Sequence, residues 1–186
     1  GAISANISAL TQLQELRLDQ NAFIGALTNS LQDLQNLTVL NLRYNGFYTE
    51  NDPLNTFVTT LDADWKKTQT ITPSNFVSEE LSPTSTKITW SPIEYTGNDG
   101  YYILKYGTAP GVYTQTAQTT DKSTSEITLN NLNPAGTYFM VMQTVTQQHQ
   151  NNLNIITSEN SPEFQFFALP PPPPKVVLTA PTNESK

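Results

Sequence analysis

The chain has no cysteine, which excludes disulfides, thiolate metal sites and a cysteine nucleophile, and removes the most direct marker of redox compartment. It has a single histidine, His149, set among Gln147, Gln148, Gln150, Asn151 and Asn152, and no Gly-x-Ser-x-Gly stretch supplies a nucleophile for it to serve. His149 therefore reads as an exposed loop residue and the chain as a non-enzyme. Charged residues are scarce at 13%, and the net charge of -7 is spread out, with Lys66-Lys67 and Glu79-Glu80 the only like-charged neighbours. Phosphate backbones demand clustered Lys and Arg, so nucleic acid is not an expected partner. No apolar run approaches the roughly 18 to 20 residues that cross a bilayer, and the first residues lack the basic flank and apolar core of a signal peptide, so no membrane insertion is expected. Asp62 and Asp64, with Asn51 and Asp52 close by, lack the glycine turn and closing glutamate of a calcium loop. They read as cap and turn residues, and no metal or cofactor is expected.

What remains is a chain solubilised by Asn, Gln and Thr, a composition suited to repeats or β-structure, and two apolar rhythms run through it. The first is a repeat. Leu13-x-x-Leu16-x-Leu18-x-x-Asn21-x-Phe23 returns as Leu37-x-x-Leu40-x-Leu42-x-x-Asn45-x-Phe47, and 37 minus 13 gives a period of 24. Gly1, Ile3, Ile7 and Leu10 return as Gly25, Leu27, Leu31 and Leu34 at the same offset. Residues 52–61 then read as one amphipathic helix, with Asp52 as N-cap, Pro53 in the first helical position, and Leu54, Phe57, Val58 and Leu61 on one face. Asp64 stands where the repeat asks for leucine, so the pattern ends in a cap, and Thr68 to Pro73 is expected as a last strand leading to a junction.

The second rhythm has period two. Ile88-Thr-Trp90, Tyr102-Ile-Leu104-Lys-Tyr106 and Tyr138-Phe-Met140-Val-Met142 alternate as half-buried strands do, and Leu132-Asn-Pro-Ala-Gly-Thr-Tyr138 places a tight turn just before the last of them. Strands are expected near residues 76–81, 84–91, 100–107, 112–116, 125–129, 137–146 and 155–167, separated by turn signals such as Asn98-Asp99-Gly100 and Ala109-Pro110-Gly111. Pro170 to Pro174 then form a spacer of roughly 15 Å in polyproline II.

Residues 1–48 resemble the leucine-rich-repeat family, and residues from Trp90 to Tyr138 resemble a fibronectin type III domain, with Trp90 in its second strand, Tyr102 and Tyr106 in its third, and Tyr138 as the tyrosine-corner residue. The resemblances imply a mainly β chain. Residues 1–74 form a short leucine-rich-repeat solenoid with a capping helix. Residues 75–168 form a seven-stranded antiparallel β-sandwich, and residues 169–186 a proline-rich linker or tail.

In the repeat family the side chains between the strand leucines line the concave face. The resemblance therefore nominates Glu15, Arg17 and Asp19 in one repeat and Val39, Asn41 and Arg43 in the next as binding residues; cross-strand ion pairs on a solvated face are the competing account. Tyr44 and Tyr48 read either as exposed aromatics for sugar or protein contact or as packing under the cap. Val176, Val177, Leu178 and Thr179 form a strand that suits self-association. Because two repeats cannot bury both ends, an earlier repeat or a partner is expected to cover the N-terminal edge, the chain being read as a piece of a longer protein.

These readings point to a non-enzymatic extracellular or cell-surface interaction or structural protein, bacterial in character. Its partner is a protein or copies of itself, joined head to tail as a filament; carbohydrate is a further partner class. The alternative is an accessory portion, spacer or carbohydrate-binding, of a larger secreted enzyme.

Overall fold

The structure is a computed structural model that describes residues 1–175, so the expected self-association strand at 176–179 lies outside the described residues. The period of 24 is built into the backbone. Ser4 caps a 3-10 helix at Ala5–Ala9 through its hydroxyl, and Thr28, 24 residues on, caps the matching helix at Asn29–Asp33. Strand β1 (Glu15–Arg17) pairs in parallel with β3 (Val39–Asn41), Leu16 opposite Leu40. Strand β2 (Ile24–Ala26) pairs in the same way with β4 (Gly46–Tyr48). Each turn of chain thus lies on the equivalent turn before it, and Leu31, Leu34, Leu40, Leu42 and Phe47 fill the space between them. Leu16 is only partly buried, because it belongs to the first coil and has a neighbour on one side.

The bends between strands leave carbonyls pointing inward, and buried polar groups need partners. Asn45 supplies them. Its Nδ2 donates to the carbonyls of Leu18 (2.8 Å), Leu42 (3.1 Å) and Arg43 (3.2 Å), and its Oδ1 accepts from the amide of Phe23 at 3.1 Å. Gln69, a further 24 residues along, does the same for the next level. Its Nε2 donates to Leu42 and Trp65 carbonyls, both at 2.9 Å, and its Oε1 accepts from the Phe47 amide at 2.9 Å. This overturns the expected strand over 68–73: Trp65–Thr68 is a 3-10 turn and residues 69–73 are irregular, because Gln69 turns inward as a rung and the Thr70 amide donates to Asn45. The helix α1 (Asp52–Leu61) forms as expected, burying Leu54 and Val58 against the coils, but its N-cap is Asn51, whose Oδ1 accepts from the Leu54 amide at 2.9 Å; Asp52 is the first helical residue.

The second unit is a two-layer sandwich. Strands β5 (Ser74–Ser82), β6 (Ser85–Ser91) and β9 (Glu126–Leu129) make one sheet. The other holds β7 (Gly100–Gly107), β8 (Gln115–Gln118), β10 (Thr137–Thr146), β11 (Ile156–Thr157) and β12 (Phe164–Phe167). Trp90, Tyr102, Tyr106 and Tyr138 share one core, Trp90 edge-on to Tyr102 and Tyr138 stacked on Phe166. The Tyr138 hydroxyl accepts from the Asn133 amide at 2.6 Å, closing the corner. Gly136 is required there, since a Cβ would lie 2.7 Å from the Asn133 carbonyl.

Two strands differ from expectation. The fourth runs over 115–118 rather than 112–116, because Val112 still belongs to the Ala109 turn. The last, expected unbroken over 155–167, is two pieces. Between them the hydroxyls of Ser158 and Ser161 accept from the amides of Thr144 and Met142, replacing strand carbonyls ahead of Pro162, which has no amide to donate.

Gln69→Ala orphans the buried Phe47 amide and takes one donor each from the Leu42 and Trp65 carbonyls, and is expected to cost about 1–3 kcal/mol in urea denaturation. A loss below about 0.5 kcal/mol would remove Gln69 from the ladder.

Candidate functional site

Strands β1 and β3 carry the nominated face. Glu15 and Arg17 are exposed and ion-paired with each other, while Val39 and Asn41 beside them are half-buried. The Oδ1 of Asn41 accepts from the Arg43 amide at 3.2 Å, and Asp19 accepts from the Gln20 side chain at 3.1 Å. Arg43 has another task. Its guanidinium grips Asp62 with Nε at 2.9 Å and Nη2 at 2.5 Å, and lies 3.9 Å from Asp64, which in turn holds Lys67 at 2.7 Å. The bond to Asp62 raises the Arg43 pKa above its ordinary value, and the bond to Lys67 lowers that of Asp64. Arg43 therefore ties the second coil to the cap, and Asp62 and Asp64 are that tie. The face that remains open is Glu15, Arg17, Val39 and Asn41. The Glu15–Arg17 pair, its side chains more than half exposed, is of the kind worth at most about 1 kcal/mol, so a partner can displace it at little cost.

At the bends that follow these strands the coil meets the sandwich. Gln20 and Tyr44, again 24 apart, are both left-handed, with φ of 58° and 57°. Bends of this kind turn carbonyls away from the coil, and the sandwich loop 147–154 takes them up. Asn152 is 2% exposed, and its Nδ2 donates to the carbonyls of Asn21 at 3.0 Å and Tyr44 at 2.7 Å. Asn151 donates to the Tyr44 hydroxyl at 3.1 Å. The Tyr44 ring lies edge-on to Tyr95 and His149 and packs on the sandwich core. Neither expectation for Tyr44 holds: it is neither a free aromatic nor a packing residue under the cap. His149, expected to be exposed, is half-buried between Tyr44 and Tyr95 because the loop folds onto the coil.

Two further contacts tighten this joint. Thr70 and Thr146 share a hydrogen bond of 2.7 Å, and the Thr144 hydroxyl donates to the Ile71 carbonyl at 2.6 Å. Lys122, 1% exposed, donates to Thr146 at 3.0 Å and places its ammonium 4.0 Å over the Tyr95 ring. Burial pushes its pKa down to about 8. Sequence reasoning missed Asn152 and Lys122; the Asn-rich loop was the one signal for the first, and nothing in the sequence marks the second.

On the other flank a cleft of about 520 Å³ separates the units, lined by Tyr48, Glu50, Ile71, Ser74, Glu159 and Pro162 among others. Tyr48 is exposed, the first of its two expected readings, and its hydroxyl meets Glu159 at 3.2 Å. Among the described residues no cluster of three or more metal-ligating side chains occurs, and no helix is long and apolar enough to cross a membrane.

The comparisons with known proteins concern the sandwich. The model of the fibronectin type III domain family matches residues 72–158. No curated protein matches the chain. Among solved structures, the chicken CNTN1 FN1–FN3 domains are 18% identical with a TM-score of 0.42, over 54% of this chain and 31% of that one. The fn3 domain of the human collagen alpha-1(XX) chain is 20% identical with a TM-score of 0.42, over 56% and 90%. A computer-redesigned β-sandwich protein is 19% identical with a TM-score of 0.40, over 53% and 94%. The family match, the two sheets and the Tyr138 corner agree: residues 72–158 carry a fibronectin type III domain.

Proposed function

We propose that this is a non-enzymatic interaction protein of the extracellular space or cell surface, in which leucine-rich repeats recognise a protein and the type III domain is a rigid spacer. The repeat assignment rests on the period of 24, on the stacked parallel strands and on the Asn45 and Gln69 rungs. The observation that carries the function is the joint. Side chains from the sandwich occupy the backbone groups of the coil bends, so the coil face is presented at one angle while Glu15, Arg17, Val39 and Asn41 stay open. A photo-crosslinker at Arg17, tested on cells of the source organism, is expected to give a discrete protein adduct that one at Thr128, exposed on β9, does not. Adducts at Thr128 alone would move recognition to the sandwich.

A self-assembling variant of this reading is supported by polarity. The coil joins the sandwich at the Thr144–Thr146 end of β10, and the chain leaves at the Tyr138 end, where the amides of Ala168 and Ala135 bond to Gly136 and Leu169. Ten residues of strand, roughly 30 Å, separate the two. The coil contact and the point where the described chain leaves the sandwich thus lie at opposite ends of β10, the polarity that a head-to-tail assembly would use. Removing residues 175–186 is expected to abolish concentration-dependent sedimentation, and full-length protein that sediments as a monomer throughout would reject the filament.

A second reading, an accessory carbohydrate-binding or spacer portion of a secreted enzyme, is favoured by one feature, the exposed Tyr48 beside the cleft. It predicts glycan-array binding that Tyr48→Ala abolishes; a silent array excludes the sugar-binding form.

A further inference from the structure

The loop that clamps the coil is itself held by a histidine in one protonation state. His149 and Asn152 close a tight turn by exchanging backbone bonds of 2.8 and 3.0 Å, and within it the Asn151 amide donates to His149 Nδ1 at 3.2 Å. The other ring nitrogen, Nε2, is 3.1 Å from the Tyr95 hydroxyl. That hydroxyl has one proton, and it is given to Asn98 Oδ1 at 2.5 Å. Nε2 must therefore donate to Tyr95, which leaves Nδ1 bare and accepting. Both nitrogens are assigned, and the ring is neutral.

We infer that the joint between coil and sandwich is acid-sensitive, closed by neutral His149 and released when His149 is protonated. A proton on Nδ1 faces the Asn151 amide, so two donors meet where a bond stood. The same four-residue turn carries Asn151, bonded to the Tyr44 hydroxyl, and Asn152, bonded to the carbonyls of Asn21 and Tyr44, so the turn cannot rearrange without letting go of the coil.

The surroundings give the new charge no compensation. Facing the ring are the phenols of Tyr44 from the coil and Tyr95 from the β6–β7 loop, and behind Tyr95 is the ammonium of Lys122 from the β8–β9 loop. Asp99 acts on Lys122, and on the coil side Arg43 is engaged with Asp62. Burial, followed by the Lys122 charge, lowers the His149 pKa from its ordinary 6.5. A folded value below the unfolded one means that the joint's stability is complete above pH 6.5 and lost as pH falls through the lowered value. Lys122, near 8, stays charged throughout that window, so its own titration does not produce the change.

The absence of cysteine makes the test direct. Spin labels on cysteines introduced at exposed Ala9 of the coil and Thr128 of the sandwich are expected to give one narrow distance at pH 7, where Lys122 is already charged, that broadens below pH 6, whereas His149→Gln, which cannot gain a proton, holds a single distribution across the range. A wild-type distance unchanged down to the pH at which the imidazole proton resonance shows His149 fully protonated would overturn the inference. So would equal broadening in the glutamine variant. In the unlabelled wild type, the Asn152 side-chain amide resonance is expected to move with the same midpoint as the imidazole, and independent midpoints would also overturn it.

Discussion

The structure depends on how inward-facing carbonyls at the coil bends are satisfied. A coil of 24 residues must turn several times, and each turn points backbone oxygens where water does not reach; an unpaired buried carbonyl costs about 1–3 kcal/mol. The chain answers with side-chain amides, which alone carry donors and an acceptor on one short group. Asn45 serves the second level and Gln69 the third, each joining two coils at once. Asn152 applies the same chemistry from outside, taking the Asn21 and Tyr44 carbonyls. The sandwich is thus attached to the coil by the kind of bond that holds the coil together.

That attachment shapes everything near it. Tyr44 leaves the coil and packs on the sandwich core, His149 is drawn under the loop, and Thr70 and Ile71 bond directly to β10 where a flexible linker would otherwise run. The joint also tolerates a buried ammonium, Lys122, held by one hydroxyl and one aromatic ring. Burying a charge this way is costly, and its lowered pKa is the sign of that cost. Glu15 and Arg17 of the coil take no part in this attachment and stay exposed.

Where periodicity sets the structure, residues told the outcome. The 24-residue spacing gave the register of β1 on β3, the period-two runs gave β6, β7 and β10, and Leu132 to Tyr138 gave the corner, because in each case apolar burial fixes one face. Where a polar side chain replaces backbone pairing, the pattern hides the result. Gln69 was legible in principle, standing 24 residues after Asn45, but its neighbours read as an alternating strand. Ser158 and Ser161 interrupt the last strand by the same substitution of side chain for carbonyl. Arg43 follows the spacing of the nominated face, yet it is engaged with Asp62, 19 residues away across the cap, a pairing that only the folded geometry brings about. The joint was illegible, since it needs two units with unrelated rhythms to meet.

Differential scanning calorimetry of wild type and Asn152→Ala tests the central claim most directly. With Asn152 bonding coil and sandwich as one body, the wild type is predicted to melt in a single transition, and the variant in two, the coil first. Two separate transitions in the wild type, or a variant that still melts as one at the wild-type temperature, would contradict it.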